Sequence, residues 1–389
     1  MTATLLLFGL ATFGLVLVGL QLLVLRLHSS ARTGPSDLPA ISILKPLCGV
    51  DEGLFGNLEV FAALDYPRYE VLLGVRDVRD GAWPVAVAAA ARWPDRFRLV
   101  VQQGAPGLNP KVNQLISLAR AARHQVLVVS DSNVRVRPDY LRGVAWHLRS
   151  EDVGLVTHPI VGVGERSVGA FFDNLHMAAV VGPGMVAAKR LANRDVVVGK
   201  SMALRRADLE ALGGFEGVKD VLAEDYVLGV KISSQLGKRV AVASSPVENV
   251  NQERAVGEFL GRYTRWCVMQ RAIAGRLVYG SQLLLNPVAF AVLALALSPG
   301  AASAAGLLGV CACKALLDDA SARTLRGSGF GWRRLPLVPA KDLLFALTWA
   351  RGLVESSVEW RGNRLRVLRG SLLERPAAEM EGGTLATEP

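Results

Sequence analysis

The segment that decides the fold is Val126-Leu127-Val128-Val129-Ser130-Asp131-Ser132-Asn133, a short β-rich run that ends in four oxygen-bearing side chains. Similar runs alternate with helical patterns between about residues 39 and 250. The predicted strands cover residues 41–44, 71–75, 99–101, 126–129, 154–157 and 240–242, and the predicted helices cover residues 54–64, 85–93, 111–120, 138–148 and 223–236. This alternation predicts a mainly parallel, doubly wound α/β sheet. Ligands of such sheets bind beyond the carboxyl ends of the strands, where Asp131 and Asn133 lie.

The composition favours one globular domain together with membrane segments. Of the 389 residues, 51% are hydrophobic and only 20% are charged, which is unusual for a wholly soluble protein. The net charge of +10 suits the anionic cytoplasmic leaflet or a phosphorylated substrate, although a solvated basic face would also explain it. We expect no nucleic-acid partner. The four cysteines, Cys48, Cys267, Cys311 and Cys313, lack the spacing of a zinc site or a disulfide framework.

Residues 1–27 are predicted to form a transmembrane helix. Residues 1–25 carry no charged side chain, and the run is long enough to cross a bilayer. A cleaved signal peptide would begin with basic residues, which this segment lacks. The positive charges of Arg26, Arg32 and Lys45 follow the segment, so the positive-inside rule places the N-terminus outside. The globular domain, residues 39–270, is then cytoplasmic.

Two further apolar regions follow that domain. Residues 280–318, interrupted by Ser298-Pro299-Gly300, are predicted to form a transmembrane helical hairpin. Residues 335–358 are also apolar, but Lys341 and Asp342 would be costly at the bilayer centre. Residues 335–370, with their basic end, are therefore predicted to be interfacial or re-entrant, and residues 376–389 to be a disordered tail. The chain is thus expected to be a multi-pass protein of a bacterial inner membrane.

Three acidic positions are candidates for chemistry. Asp77 and Asp131 each follow a predicted strand, although an Asp in that position often caps the next helix or turn. Asp131-x-Asn133 places two oxygen ligands where Mg²⁺ or Mn²⁺ could hold a diphosphate. Glu224 and Asp225 open an apolar helix, where acids favour the helix dipole. The alternative function for this pair is a general base that deprotonates an attacking hydroxyl.

The segment Arg262-Tyr263-Thr264-Arg265-Trp266 places two guanidiniums and an indole on one helix face. Such a face could grip a leaving diphosphate and cover a ring, or it could rest on lipid head groups. Gly199-Lys200-Ser201 imitates the end of a phosphate loop, but the first glycine of that motif is replaced by Arg194. We therefore predict no phosphate loop there.

Three acids, then Arg-x-x-Arg-Trp, then apolar segments resemble the D, D, D, (Q/R)xxRW pattern of membrane glycosyltransferases. The domain of that class has the nucleotide-diphospho-sugar transferase fold, known as GT-A and Rossmann-like. Within the class, five segments are similar to those of ceramide glucosyltransferases: Lys45-Pro46-Leu47-Cys48-Gly49-Val50-Asp51, Leu64-Asp65-Tyr66-Pro67-Arg68-Tyr69-Glu70-Val71-Leu72-Leu73, Asn109-Pro110-Lys111-Val112-Asn113-Gln114-Leu115, Asp131-Ser132-Asn133-Val134-Arg135-Val136 and Ala223-Glu224-Asp225-Tyr226. The resemblance covers roughly residues 1–370.

The resemblance implies an inverting transfer of a hexose, with glucose favoured, from a UDP-sugar to a hydroxyl of a membrane lipid, with ceramide favoured. It also implies a role for each candidate residue. Asp225 would be the catalytic base, with Arg262, Arg265 and Trp266 at the leaving diphosphate and the acceptor. The substrate contacts would be Asp77, for uridine, with Lys111, Asn113, Glu224 and His176, and the metal ligands would be Asp131 and Asn133 with Mg²⁺ or Mn²⁺.

Two departures from the family pattern leave alternatives open. Eukaryotic members carry a His-Pro-Arg-Tyr stretch before the third acid, whereas here His176 is followed by Met177-Ala178. Residues 171–192, which contain His176, are either a buried helix pair or an interfacial element that admits the lipid. Asn133 stands where many related enzymes have Asp. Another lipid acceptor such as a hopanoid polyol, and a processive polysaccharide synthase, are therefore the alternative functions. A scaffold without activity is disfavoured because all three acids are present.

Overall fold

The computed structural model describes residues 2–28, 38–360 and 362–375. The predicted tail, residues 376–389, lies outside the described residues. The strands are β1 (Ile41–Pro46), β2 (Tyr69–Val75), β3 (Phe97–Val101), β4 (Val126–Ser130), β5 (Val134–Arg135), β6 (Val153–Thr157), β7 (Ile160–Val163), β8 (Ser201–Arg205), β9 (Arg239–Val242), β10 (Val247–Val250), β11 (Ser357–Trp360), β12 (Asn363–Val367) and β13 (Leu373–Glu374). The α-helices are α1 (Thr2–His28), α2 (Leu54–Ala62), α3 (Trp83–Arg92), α4 (Pro110–Ala121), α5 (Tyr140–Leu148), α6 (Val168–His176), α7 (Gly182–Ala192), α8 (Arg206–Ala211), α9 (Glu224–Leu236), α10 (Val256–Ser281), α11 (Pro287–Leu297), α12 (Ala301–Arg326) and α13 (Val338–Val354).

The main sheet has seven strands in the order β3-β2-β1-β4-β8-β6-β9. Four of its six pairings are parallel, and both pairings of β8 are antiparallel. All six predicted strands are present, which confirms the α/β fold class. The sequence analysis missed β8, because Ser201–Arg205 mixes polar and apolar residues and has no extended apolar run. This strand lies beside β4 and places residue 200 next to residue 131.

Helices cover both faces of the sheet. Along β1 the side chains alternate, so Ile41 and Ile43 belong to one apolar cluster and Leu44 to another. Both clusters are buried, and every residue of β1 and β2 is buried. Strands that are buried on both faces form continuous apolar runs, which is why these strands were easy to predict.

Residues 168–192 form α6, a π-helical turn (Met177–Val181) and α7. Phe171 and Met185 are each 2% exposed. Phe171, Val186 and Ala178 belong to an apolar cluster that also contains residues of α1, α10 and α12. Of the two alternatives for this region, the burial favours a core helix pair.

Within the described residues, two helices, α1 and α12, are long and apolar enough to cross a membrane. They pack closely, since a Cβ on Gly306 would lie 2.7 Å from the ring of Phe8. A third span would require α10 and the residues up to Leu285 to join α11 across a bend of 78°. Helix α11 has 11 residues, about 16 Å, or half the hydrocarbon thickness of a bilayer. The segment predicted as a hairpin, residues 280–318, thus contains the short helix α11 and the first part of the long helix α12.

Four buried charges join α12 to α13. Lys314 Nζ lies 2.6 Å from Asp318 Oδ1, and Lys341 Nζ lies 3.3 Å from Asp318 Oδ2 and 2.5 Å from Asp342 Oδ1. Lys314 also lies 3.4 Å from Asp342 Oδ2. The sequence analysis treated Lys341 and Asp342 as isolated costs and overlooked Lys314, which falls inside the predicted hairpin. Mutual pairing explains how these charges are accommodated.

We predict that Asp318→Ala destabilises the protein by about 3–5 kcal/mol, because it leaves two buried lysines without their shared carboxylate. Denaturant titration of the detergent-solubilised chain measures this change. Asp65→Ala, which removes the partner of Arg142 from an exposed ion pair, is the matched control and should have almost no effect. If the two substitutions had equal effects, the four buried charges would not stabilise the packing of α12 against α13.

Candidate active site

Asp131 lies between two lysines at the carboxyl end of β4. Lys111 Nζ lies 3.0 Å from Asp131 Oδ1, and Lys200 Nζ lies 3.0 Å from Asp131 Oδ2. Burial alone would raise the pKa of Asp131, but the two ammonium groups outweigh it and hold that pKa well below its usual value. Asp131 is therefore held as a carboxylate between two ammonium groups.

Lys111 also connects Asp131 to the start of α9. Its Nζ lies 3.0 Å from Glu224 Oε1 and donates a hydrogen bond to the carbonyl of Gly199 at 3.2 Å. Helix α4 begins at this point because Asn109 caps it, accepting hydrogen bonds from the Lys111 and Val112 amides at 3.0 and 3.1 Å. Burial lowers the pKa of Lys111, but Asp131 and Glu224 reverse that shift and keep it charged.

Asp225 is the second residue of α9, and its side chain points at the same cluster. Asp225 Oδ2 accepts a hydrogen bond from the Gly199 amide, and Asp225 Oδ1 accepts one from the Tyr226 amide at 2.7 Å. Burial and the neighbouring Glu224 raise the pKa of Asp225 to about 7, against the opposing charge of Lys111. A carboxyl that titrates near neutral pH suits the exchange of a proton with a substrate.

Two lysines and a glycine of this cluster were not among the predicted site residues. Lys45 Nζ donates to Ser130 Oγ at 3.1 Å and to the Asp131 carbonyl at 2.9 Å, and burial lowers its pKa to about 7. A Cβ on Gly199 would lie 2.6 Å from Lys111 Nζ, so a side chain there would displace the Lys111 ammonium group. The segment that was dismissed as a phosphate loop thus forms part of the site. Lys45 lies in one of the five segments that resemble ceramide glucosyltransferases. Lys200 was considered only as part of a phosphate loop, and no other sequence pattern indicated a role for it.

Arg262 and Trp266 lie on α10, and Arg262 is held by a buried acid that the sequence analysis overlooked. Arg262 and the hydroxyl of Tyr263 each donate a hydrogen bond of 2.8 Å to the carboxylate of Asp173. The guanidinium of Arg262 lies 5.5 Å from the ring centroid of Trp266. Burial lowers the pKa of Lys200; Asp131 opposes this shift and the charge of Arg262 adds to it. Arg262 is therefore within electrostatic reach of the cluster.

Arg265 is half-buried on the same helix. Together with Arg262 it lines a cavity of about 490 Å³ between α10, the end of α13 and β11. Glu258 and Glu355 line the same cavity. The predicted pair of guanidiniums thus shares one cavity, although Arg262 is turned towards Asp173.

Three predicted residues make their contacts elsewhere in the described part of the chain. Asp77 lies in an exposed turn after β2, where its Oδ1 accepts a hydrogen bond from the Arg79 amide at 2.8 Å. Asn113 bonds both the amide and the carbonyl of Gly107, at 2.9 and 2.8 Å, and so fixes the loop before α4. His176 is buried, with its ring centroid 4.4 Å from that of Tyr263 and 4.3 Å from that of Phe345.

Asp131 and Asn133 could supply only a small part of the coordination shell of a divalent cation. Asn133 Oδ1 accepts a hydrogen bond from Lys200 at 2.8 Å, so Lys200 reaches both residues. Among the described residues, no group of three or more His, Cys, Asp and Glu side chains could hold a metal ion. Mg²⁺ commonly takes one or two protein carboxylates and completes its shell with phosphates and water. The pair suits a metal that arrives with a diphosphate.

Comparison with known proteins supports the sequence resemblance. Ceramide glucosyltransferase 1 of Caenorhabditis elegans is 28% identical over 260 residues, which are 66% of this chain and 54% of that protein. Ceramide glucosyltransferase 3 of the same organism is 29% identical over 252 residues, with coverage of 64% and 54%. The chain thus spans about half the length of the curated relatives it matches.

Among solved structures, a mannosyltransferase from Pyrobaculum calidifontis, described in complex with GDP-Man and Mn²⁺, superposes with a TM-score of 0.54. The match covers 90% of this chain and 99% of that protein at 20% identity, and it shows the GT-A fold. The family model described as Glycosyl transferase family 21 matches residues 6–373. Since this match spans nearly the whole chain, the chain belongs to glycosyl transferase family 21.

Proposed function

We propose that this chain transfers a hexose from a UDP-sugar to the hydroxyl of a membrane lipid, with glucose as the sugar and ceramide as the acceptor. The observation that carries the proposal is the pairing of Asp225, whose pKa is raised to about 7, with a neighbouring cluster of lysines around Asp131. A base and a set of cations are the two elements that transfer from a nucleotide diphosphate requires.

The proposed reaction is one displacement that inverts the anomeric centre. Asp225 takes the proton of the acceptor hydroxyl, the freed oxygen forms a bond to the anomeric carbon, and the bond from that carbon to the diphosphate breaks. UDP leaves with the bonding electron pair. Lys111 and Lys200 lie where positive charge would stabilise the diphosphate, since both already bind the carboxylate of Asp131.

A divalent cation, Mg²⁺ or Mn²⁺, would be held by Asp131 and Asn133 and would supply further positive charge to the diphosphate. The two lysines occupy both oxygens of Asp131, so they would have to move aside when a metal binds. Lys200 could then turn from the carboxylate to the phosphate oxygens. A cluster that is already neutralised by lysines keeps Asp131 ionised before the donor arrives.

The remaining predicted residues take supporting roles in the proposal. Asp77 lies at the carboxyl end of β2, on the same edge of the sheet as Asp131, and would contact the uridine. Glu224 and Asn113 would shape the donor site through Lys111 and the loop at Gly107. Arg262, Arg265 and Trp266 would face the diphosphate and the acceptor, and His176 would lie on the acceptor side.

The proposed setting is a multi-pass protein of a bacterial inner membrane, with an external N-terminus and a cytoplasmic transferase domain. UDP-sugars are made in the cytoplasm, and a lipid hydroxyl lies at the level of the head groups. The cavity lined by Arg262 and Arg265 adjoins α10, which leads directly into the apolar helix α11. We propose that the acceptor approaches the cavity along α11 and α10 without leaving the bilayer.

The function is tested by measuring UDP release from UDP-glucose by the purified chain with ceramide, with a hopanoid polyol, and with no lipid. We expect ceramide to stimulate release and Asp225→Asn to lower turnover about 10²–10⁴-fold, because an amide cannot take the proton. UDP affinity should remain nearly unchanged in this variant. The exposed Asp152→Asn is the matched control.

If only the hopanoid stimulates UDP release, the acceptor is a hopanoid polyol and not ceramide. If a polymer forms without lipid, the result favours the processive synthase. If Asp225→Asn keeps more than about a tenth of normal turnover, Asp225 is not the general base.

We further predict that Asp131→Ala weakens donor binding more than it affects folding, and that chelation with excess EDTA produces the same loss in the unchanged protein. The reason is that both treatments remove the proposed link between the protein and the diphosphate. Calorimetric titration with UDP, with and without Mn²⁺, measures the effect. Full activity in excess EDTA would remove the metal from the proposal and leave the lysines as the only diphosphate ligands.

A further inference from the structure

A second basic cavity lies away from the acid cluster, beside the last residue of α1. It has a volume of about 610 Å³ and lies between α5, α7 and the edge strand β9. Among the residues that the structure describes, the charged and titratable ones that line it are His28, His147, Arg149, Lys189, Arg190 and Arg239, and none is acidic. We propose that this cavity binds the phosphate-bearing head group of an anionic phospholipid.

The charge of the cavity is only partly compensated by nearby acids. Lys189 pairs with Asp195 and Arg239 pairs with Asp152. In the part of the chain that the structure describes, neither Arg149 nor Arg190 contacts a carboxylate. The guanidinium of Arg149 lies 3.4 Å from the centroid of the Trp146 ring, and Arg190 bonds the imidazole of His28 at 3.1 Å. Two guanidiniums with free donors are suited to bidentate binding of a phosphodiester.

The position of the cavity distinguishes a lipid from a soluble anion. Helix α1 is one of the two membrane-span candidates, and its final residue, His28, lines the cavity. One turn earlier, Val24 and Leu25 are buried in an apolar cluster with Val186 of α7 and Val242 of β9. The end of the span is thus packed onto the globular domain, which places the cavity at the level of the head groups. Trp146, at its wall, is the residue type enriched at that level.

The cavity is separate from the proposed donor site. The main sheet places β8 and β6 between β4, which leads to Asp131, and β9, which lines the cavity. At about 4.8 Å per strand, this separation is about 14 Å. None of the acids and lysines of the cluster around Asp131 lines the cavity. A nucleotide diphosphate bound at Asp131 would therefore leave the cavity open for a second anion.

The proposal is tested by native mass spectrometry of the full chain in neutral detergent, titrated with phosphatidylglycerol. We expect one saturable adduct, which phosphatidylcholine does not form at the same concentrations. Arg149→Ala with Arg190→Ala should weaken phosphatidylglycerol binding at least tenfold. The control, Arg68→Ala with Arg92→Ala, removes two exposed arginines from elsewhere on the domain and should leave binding unchanged.

A melting curve without lipid shows whether the double variant folds. If it does not, Arg149→Ala alone, whose guanidinium contacts the Trp146 ring at the surface, should still weaken binding at least threefold. Equal binding of phosphatidylglycerol by the cavity variants and the unchanged chain would overturn the proposal, as would equal affinity for phosphatidylcholine. If inorganic phosphate or glycerol phosphate competes at concentrations matched to the lipid, the cavity binds a soluble anion, and the proposal of a phospholipid is overturned.

Discussion

One buried ammonium group, that of Lys111, joins the two parts of the candidate site. It lies 3.0 Å from Asp131, at the end of β4, and 3.0 Å from Glu224, at the start of α9. Without it, Asp131, Glu224 and Asp225 would be three neighbouring carboxyl groups in a largely buried cluster, a costly arrangement. With it, Asp131 remains ionised while Asp225 titrates near neutral pH. Lys111 lowers the pKa of both acids, and the raised pKa of Asp225 comes from its burial and from Glu224.

Contacts among the helices α6, α10, α12 and α13 position Arg262. Helix α10 carries Arg262, whose guanidinium is held by the fully buried Asp173 of α6. Helix α13 packs along α10, and Phe345 of α13 contacts His176 of α6. On the side of α13 that packs against α12, Lys314 pairs with Asp342 and Lys341 pairs with Asp318. The position of Arg262 therefore depends on its charged contact with Asp173 and on the packing of α10 against α6 and α13.

The sequence predicted the sheet and its helices well because strands buried on both faces form apolar runs with little ambiguity. It also singled out Asp131 and Asp225, since both stand at the ends of such elements. It missed Lys200, Lys45 and Asp173 because their proximity arises from pairings between distant segments. Lys200 is placed by the antiparallel pairing of β8 with β4, which no local pattern signals. Asn113, predicted at the donor site, bonds the backbone of Gly107 in the loop before α4, and its contact with the donor stays a prediction.

The central claim, that burial and Glu224 tune Asp225 to act as a base at neutral pH, is tested most directly by titrating that carboxyl group. Infrared difference spectra between the unchanged protein and Asp225→Asn, recorded across a range of pH, isolate its carbonyl band. The account predicts protonation with a midpoint at about 7. Substituting Lys111 with Met should raise this midpoint, because the opposing positive charge is lost. A midpoint near the ordinary Asp value of about 4 would contradict the account.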